Sequence, residues 1–424
     1  MPERDAFGAG RFAAMTRRRF LCETGVAALG AGLIPTVTRS VAADASKSVL
    51  TTRGAEIIDP AGNPIKLRGW RICQSSRHQE TITPAKLARY AGDALLGNVQ
   101  AIEIWWTPDE TGQPSEPYPQ RPGVYQTENL ETILEAMRVI ARAGSWIVPS
   151  IRVSFDAGRA TEYTATGTNW WEGWAHHKSV IWNKPVVVES GPDTGVYGKH
   201  GDRFFAWLDW ILSSILADPE IAARIAYWQA WHFYGHRHGD SLTDEDHDRY
   251  FDVFLPALLR KYREHDPHRL IGVSARAFHV MDRLLRRIDE GTWEPWDDHN
   301  WMLVNGGYGH HDVLMAEVDY ATRWPESAYS PRWDGEREAF DFQQYLRWTG
   351  KALHSQEAPG LAAHYRQTPI PEPQRSFLVG LLNLYNEHAN GFTFHKWPPS
   401  EPEAPDETEL FALLRKAFAG EFLE

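Results

Sequence analysis

The sequence predicts an α/β fold, a single (β/α)8 TIM barrel with long βα loops and an N-terminal β-hairpin. Three observations carry this prediction. Short apolar, β-rich runs alternate with longer segments of helical period from residue 55 onward. No low-complexity linker divides them, which argues for one α/β domain. Eight such pairs in about 360 residues match the size of a barrel with extended loops.

The elements can be justified in chain order. Residues 56–67 read as a hairpin around the turn Asp59-Pro60-Ala61-Gly62-Asn63, whose Asp, Pro, Gly and Asn are turn formers. Strands are expected at 65–73, 99–105, 146–153, 225–231, 270–274, 299–304, 352–356 and 391–395. Helical patterns fill the intervals at 127–143, 202–216, 244–265, 340–349 and 373–388. Asp244 and Glu245 open the third of these, where the helix dipole favours acids. The first 43 residues stand apart. Thr16-Arg17-Arg18-Arg19-Phe20-Leu21 precedes a weakly apolar stretch, residues 25–34, and then the small residues Ser40-Val41-Ala42-Ala43. This order is similar to a cleaved twin-arginine export signal, and an apolar run of about ten residues is too short to span a bilayer. The expected division is therefore 1–43 as signal and 44–424 as barrel, with the protein periplasmic or extracellular and the twin-arginine export machinery as a transient partner. Cys22 falls in the signal, leaving Cys73 as the one mature cysteine and no internal disulfide.

Composition removes several classes. The chain of 424 residues carries 44 Lys and Arg against 56 Asp and Glu, a net charge of −12, without a long basic run. Nucleic acid and anionic membrane are thereby excluded as main partners. No Gly-rich phosphate loop follows a strand, and no Gly-x-Ser-x-Gly elbow occurs. Tryptophan is the outlier, with 19 residues. In a barrel of this type chemistry sits at the C-terminal ends of the strands. That is where the aromatics gather: Trp105 and Trp106 after strand two, Trp170, Trp171, Trp174 and Trp182 in a long insertion after strand three, and Trp231, Phe233 and Tyr234 after strand four. Tyr308, Trp324, Trp333 and Trp397 continue the ring. Flat aromatic faces stack on the apolar faces of sugar rings, so a carbohydrate-binding cleft is expected, with Trp105, Trp106 and Trp231 in its wall.

Four stretches then carry a family resemblance: residues 58–69 (IDPAGNPIKLRG), 263–271 (REHDPHRLI), Gln356-Glu357-Ala358-Pro359-Gly360 and Phe394-His395-Lys396-Trp397. In order and spacing, over roughly residues 50–420, they resemble glycoside hydrolase family 5, cellulase-like barrels of the retaining type. The resemblance implies a β-linked glycan substrate and no cofactor. Retaining enzymes hold two carboxyl groups about 5 Å apart, one as nucleophile and one as acid/base. Glu357, ending strand seven, matches the nucleophile; Tyr308 matches the tyrosine that contacts it, and Trp397 the aromatic floor under the sugar. Arg71 and Arg152, at the ends of strands one and three, are basic candidates for substrate contact.

The chain departs from that pattern at three places. Strand four of the family ends in Asn-Glu, and here Trp231-His232 stands there. The family arginine of strand two is missing, with Gln100-Ala101 in that region, and Arg152 replaces a histidine on strand three. His232 could serve as general acid, because an imidazole exchanges its proton near neutrality. Glu103 or Asp240 could instead supply the second carboxylate. A catalytically degenerate barrel that binds glycan without cleaving it is the alternative. Tyr385-Asn386-Glu387-His388 repeats the Asn-Glu pair, but ahead of strand eight, on the stability face. His232, His236, His238 and Asp240, with His310, His311 and Asp312, offer metal-type donors at no recognised metal spacing, and no metal is assigned.

Overall fold

The computed structural model describes residues 49–72, 97–106, 127–153, 174–188, 195–231, 243–274, 300–306, 350–358, 368–372, 374–395 and 408–424. The chain enters through a three-stranded antiparallel sheet, β1 (Thr51–Arg53), β2 (Glu56–Ile58) and β3 (Pro64–Ile65). Its turn forms as the residues dictate. The Asp59 carboxylate accepts the backbone N–H groups of Ala61 and Asn63 at 2.9 and 2.8 Å, and Gly62 takes φ +91°. Only β1 lies outside the predicted hairpin; three residues are too few to show a period.

Eight parallel strands follow: β4 (Leu67–Ile72), β5 (Val99–Trp106), β6 (Trp146–Val153), β9 (Tyr227–Gln229), β10 (Leu270–Ser274), β11 (Trp301–Gly306), β12 (Leu353–Ala358) and β13 (Gly391–His395). They pair in that order, and β13 returns to β4, with Gly391 opposite Leu67 and His395 opposite Arg71, so the barrel is closed. A further antiparallel pair, β7 (Val186–Val188) and β8 (Gly195–Tyr197), lies in the insertion after strand three, together with the helix Trp174–Trp182.

Period-two alternation sorts the strand residues. On β5, Val99 and Ala101 join Leu67, Val148, Tyr227, Leu270, Met302 and Val304 in a cluster inside the barrel. Leu50 and Ile57 of the entry sheet belong to the same cluster and plug the N-terminal mouth. Ile102, Ile104 and Trp106 belong instead to the layer between barrel and helices. The helices answer with a 3.6-residue period. Thr127–Arg142 buries Leu130, Ile133, Leu134, Met137 and Ile140, and Gly201–Leu216 buries Phe204, Trp207, Leu208, Ile211 and Ile215.

One expected helix is interrupted. Residues 244–265 run as Asp244–Arg249, a π-helical turn Tyr250–Phe254, and Leu255–His265. Thr243 and Asp246 form a capping box at its start. Pro256 has no N–H to give the preceding turn, and the Leu255 N–H bonds the Tyr250 carbonyl five residues back. The inserted residue keeps Tyr250, Phe251 and Phe254 buried in step with Leu258, Leu259 and Tyr262.

Candidate active site

Polar groups are buried inside the barrel beside its apolar cluster, each from a strand residue on the inward register. His354 and Gln356 of β12 point inside, two apart. The Gln356 side-chain amide donates to the Tyr227 hydroxyl at 2.7 Å. That hydroxyl lies 2.8 Å from His354 Nδ1, and His354 Nε2 lies 3.1 Å from the Leu67 carbonyl. A carbonyl can only accept, so Nε2 carries the proton, Nδ1 accepts, and Tyr227 donates to it. The direction of the whole chain is thereby set. Burial lowers the His354 pKa to about 4, outweighing the bond to Leu67, so the ring is neutral near pH 7. Burial also holds the Tyr227 hydroxyl protonated, against smaller opposing effects of the Gln356 bond and the Arg71 charge.

Beside this chain Ser150 of β6 bonds Gln229 of β9. Arg71 of β4 and Glu103 of β5 form an ion pair with both side chains fully buried. Arg71 is thus enclosed on the inward register of Leu67, with its charge felt at the Tyr227 hydroxyl. Glu103, two residues on from inward-facing Ala101, meets Arg71 within the barrel interior.

Glu357 occupies a singular backbone position. Gln356 pairs with Thr393 and Ala358 with Phe394, so Glu357 is the extra residue of a β-bulge at the end of the seventh strand. Strict alternation from His354 and Gln356 would assign position 357 to the helix side, and the bulge breaks that alternation at this residue. Bulges recur beside active sites because they re-aim a side chain.

The predicted aromatic wall divides. Trp106 is 4% exposed, edge-on to His200 and Phe204 at 5.7 and 5.6 Å between ring centroids. Trp231 is 1% exposed, edge-on to His177 at 5.2 Å and Phe254 at 5.1 Å. Both rings fill the layer between barrel and helices. For Trp106 the signal was available, since counting by twos from Ile102 puts it outward. Trp105 and Arg152 pair in register near the C-terminal ends of β5 and β6, where strand ends were expected to carry function. Of these two the backbone alone is described. His232, Tyr308, Trp397, Asp240 and the His236, His238, His310, His311 and Asp312 group lie outside the described residues.

Glu387 ends the helix Gln374–His388 ahead of β13, exposed at the opposite end of the barrel, as the sequence reading placed it. Sequence reasoning passed over Tyr227, His354 and Gln356. Their signal is a polar residue two from the next on a buried strand: Tyr227 and Gln229 on one, His354 and Gln356 on the other. Among the described residues no cluster of His, Cys, Asp or Glu could hold a metal, and no helix is long and apolar enough to cross a membrane.

No protein-family model and no curated protein matches the sequence. Solved structures match the fold. An endo-glycoceramidase II from Rhodococcus sp. aligns with TM-score 0.51 at 15% identity, covering 84% of this chain and 80% of that one. An endocellulase from Pyrococcus horikoshii, complexed with cellotetraose, aligns with TM-score 0.52 at 11% identity over 87% and 98% of the two chains. A β-glucanase from Saccharophagus degradans, also with cellotetraose, gives 0.51 at 10% identity over 88% and 93%. The architecture these structures share with the chain is the closed (β/α)8 barrel.

Proposed function

We propose that the protein is an exported glycosidase that cleaves a β-linked polysaccharide or oligosaccharide by a retaining mechanism, with Glu357 as nucleophile and His232 as an atypical acid/base. The observation that carries this reading is the bulge that sets Glu357 apart at the end of the seventh barrel strand. The fold likeness to enzymes crystallised with cellotetraose supports the substrate class. In the first step the Glu357 carboxylate attacks the anomeric carbon, the glycosidic C–O bond breaks, and the leaving oxygen takes a proton from the His232 imidazolium. In the second, neutral His232 takes a proton from water, whose oxygen displaces Glu357 from the sugar. Tyr308 orients the nucleophile and Trp397 forms the floor under the sugar ring. Trp105 and Arg152 contribute from the rim, while Trp106, Trp231 and Arg71 support the barrel from within its packing.

Reducing-sugar release by the mature protein on β-glucans, mannans, xylans and aryl β-glycosides tests the reading, with folded Glu357→Gln as the paired control. Turnover that disappears in the variant supports a glycosidase. Silence across the panel with retained glycan binding would show a degenerate barrel instead. His232→Ala should abolish turnover of natural glycosides but spare aryl glycosides, whose leaving groups need no proton. Equal losses on both would remove His232 from that role.

A further inference from the structure

We propose that Tyr227 is a positioning residue for Glu357: from the fourth barrel strand its hydroxyl binds both inward-facing residues that immediately precede the bulge on the seventh. This rests on the reading of Glu357 as nucleophile. The bulge residue is the one place on β12 where the ladder to β13 skips a residue, so its aim must be held by something other than strand pairing. Gln356, the residue next to it, is held through its side chain. Among the described residues Gln356 Oε1 has no hydrogen-bond partner, and the bond from its amide nitrogen to Tyr227 is what orients the group.

The anchor itself is fixed. β9 and β12 are not neighbours; β10 and β11 stand between them on one side of the closed barrel. The Tyr227 ring crosses that gap over Gly272 of β10, where a Cβ would lie 2.8 and 2.9 Å from the Tyr227 ring and 2.6 Å from Val304 Cγ2. His354 extends the tie to the Leu67 carbonyl on β4, beyond β13. Strand seven is thus braced from both sides by one directed chain, Gln356 to Tyr227 to His354 to Leu67, with each bond donated in the same direction. Such a chain transmits position, since every member is buried and Tyr227 and His354 are each bonded on both sides.

The test compares Tyr227→Phe with Tyr262→Phe. Tyr262 is another fully buried tyrosine, whose hydroxyl donates to the Ala230 carbonyl at 3.2 Å outside the barrel, away from strand seven. A misplacement near the chemistry of about 1 Å costs on the order of 100-fold. Tyr227→Phe should therefore lower kcat roughly ten- to 100-fold with KM within about twofold, and should move the acidic limb of the kcat pH profile. Tyr262→Phe should lose stability while keeping kcat and the pH profile. Gln356→Met makes the same cut from the other end and replaces Tyr227→Phe if that variant does not fold. A second readout is independent of turnover. The carboxyl titration of Glu357, followed by 13C NMR and assigned with Glu357→Gln, should shift in Tyr227→Phe and stay in Tyr262→Phe. Wild-type kcat together with an unchanged titration in Tyr227→Phe overturns the proposal. Wild-type turnover in Glu357→Gln would overturn the nucleophile reading alone, and the titration would still report whether Tyr227 positions residue 357.

Discussion

His354 is neutral because burial opposes its charge, and that has a cost in acid. An unfolded histidine takes up a proton near pH 6.5, whereas the buried ring resists until about 4. The unfolded state therefore binds more protons across that window, and stability falls as pH drops from about 6.5 to 4, then levels off. The contribution over the full window is about 3 kcal/mol. His354→Gln should remove it: the urea midpoint of the variant should fall less steeply than that of the wild type between pH 7 and 4, and parallel slopes would contradict the assignment. Below pH 4 a protonated Nδ1 becomes a donor and can no longer accept from Tyr227, so the brace opens in the same range. At this scale the sequence was a partial guide. Glu357 stood out because the stretch Gln356-Glu357-Ala358-Pro359-Gly360 resembles the family's nucleophile segment at the end of a strand. The depth of Trp231 did not, because it follows a strand end, where alternation no longer assigns a side.

Gly272 makes a related point about elements. It sits mid-strand, where glycine weakens a ladder, and is required because the Tyr227 ring fills the space of its side chain. Gly272→Ala should cost roughly 1–3 kcal/mol by overpacking and should also reduce kcat by displacing the ring. A thermal unfolding midpoint equal to wild type would show that Val304 and Tyr227 yield freely. Elements that read as short apolar runs bounded by turns were legible to the residue: Trp146–Val153, Leu270–Ser274 and Gly391–His395 all end where the sequence places them. The fourth strand was expected over 225–231 and pairs fully over Tyr227–Gln229, since its apolar run continues into residues that pack on helices. The π turn at Tyr250–Phe254 was hidden because its aromatics satisfy a helical period on either side of the inserted residue.

The whole molecule is held together by closure. β4 near the start pairs with β13 near the end, and the C-terminal helix Glu409–Ala419 packs Phe411 and Phe418 against Trp70 of β4, 6.0 and 5.8 Å between centroids. The first barrel strand thus has no complete set of partners until the last residues are made. If the chain is exported as proposed, Arg17→Lys/Arg18→Lys should leave unprocessed precursor in the cytoplasm on cell fractionation. Mature-length protein in the exported fraction would rule the twin-arginine route out.

Closure also decides where the molecule can be gripped. Leu50 lies in the plug of the N-terminal mouth, and beyond the C-terminal helix Gly420 comes against Arg68 at the start of β4 while Leu423 exchanges two hydrogen bonds with Asn383. Leu50 and the C-terminal residues therefore lie at the same end of the barrel, opposite the strand end at Glu357. A short tether following Glu424 would mount the protein on a bead or a cell surface with the strand end at Glu357 facing away from the support.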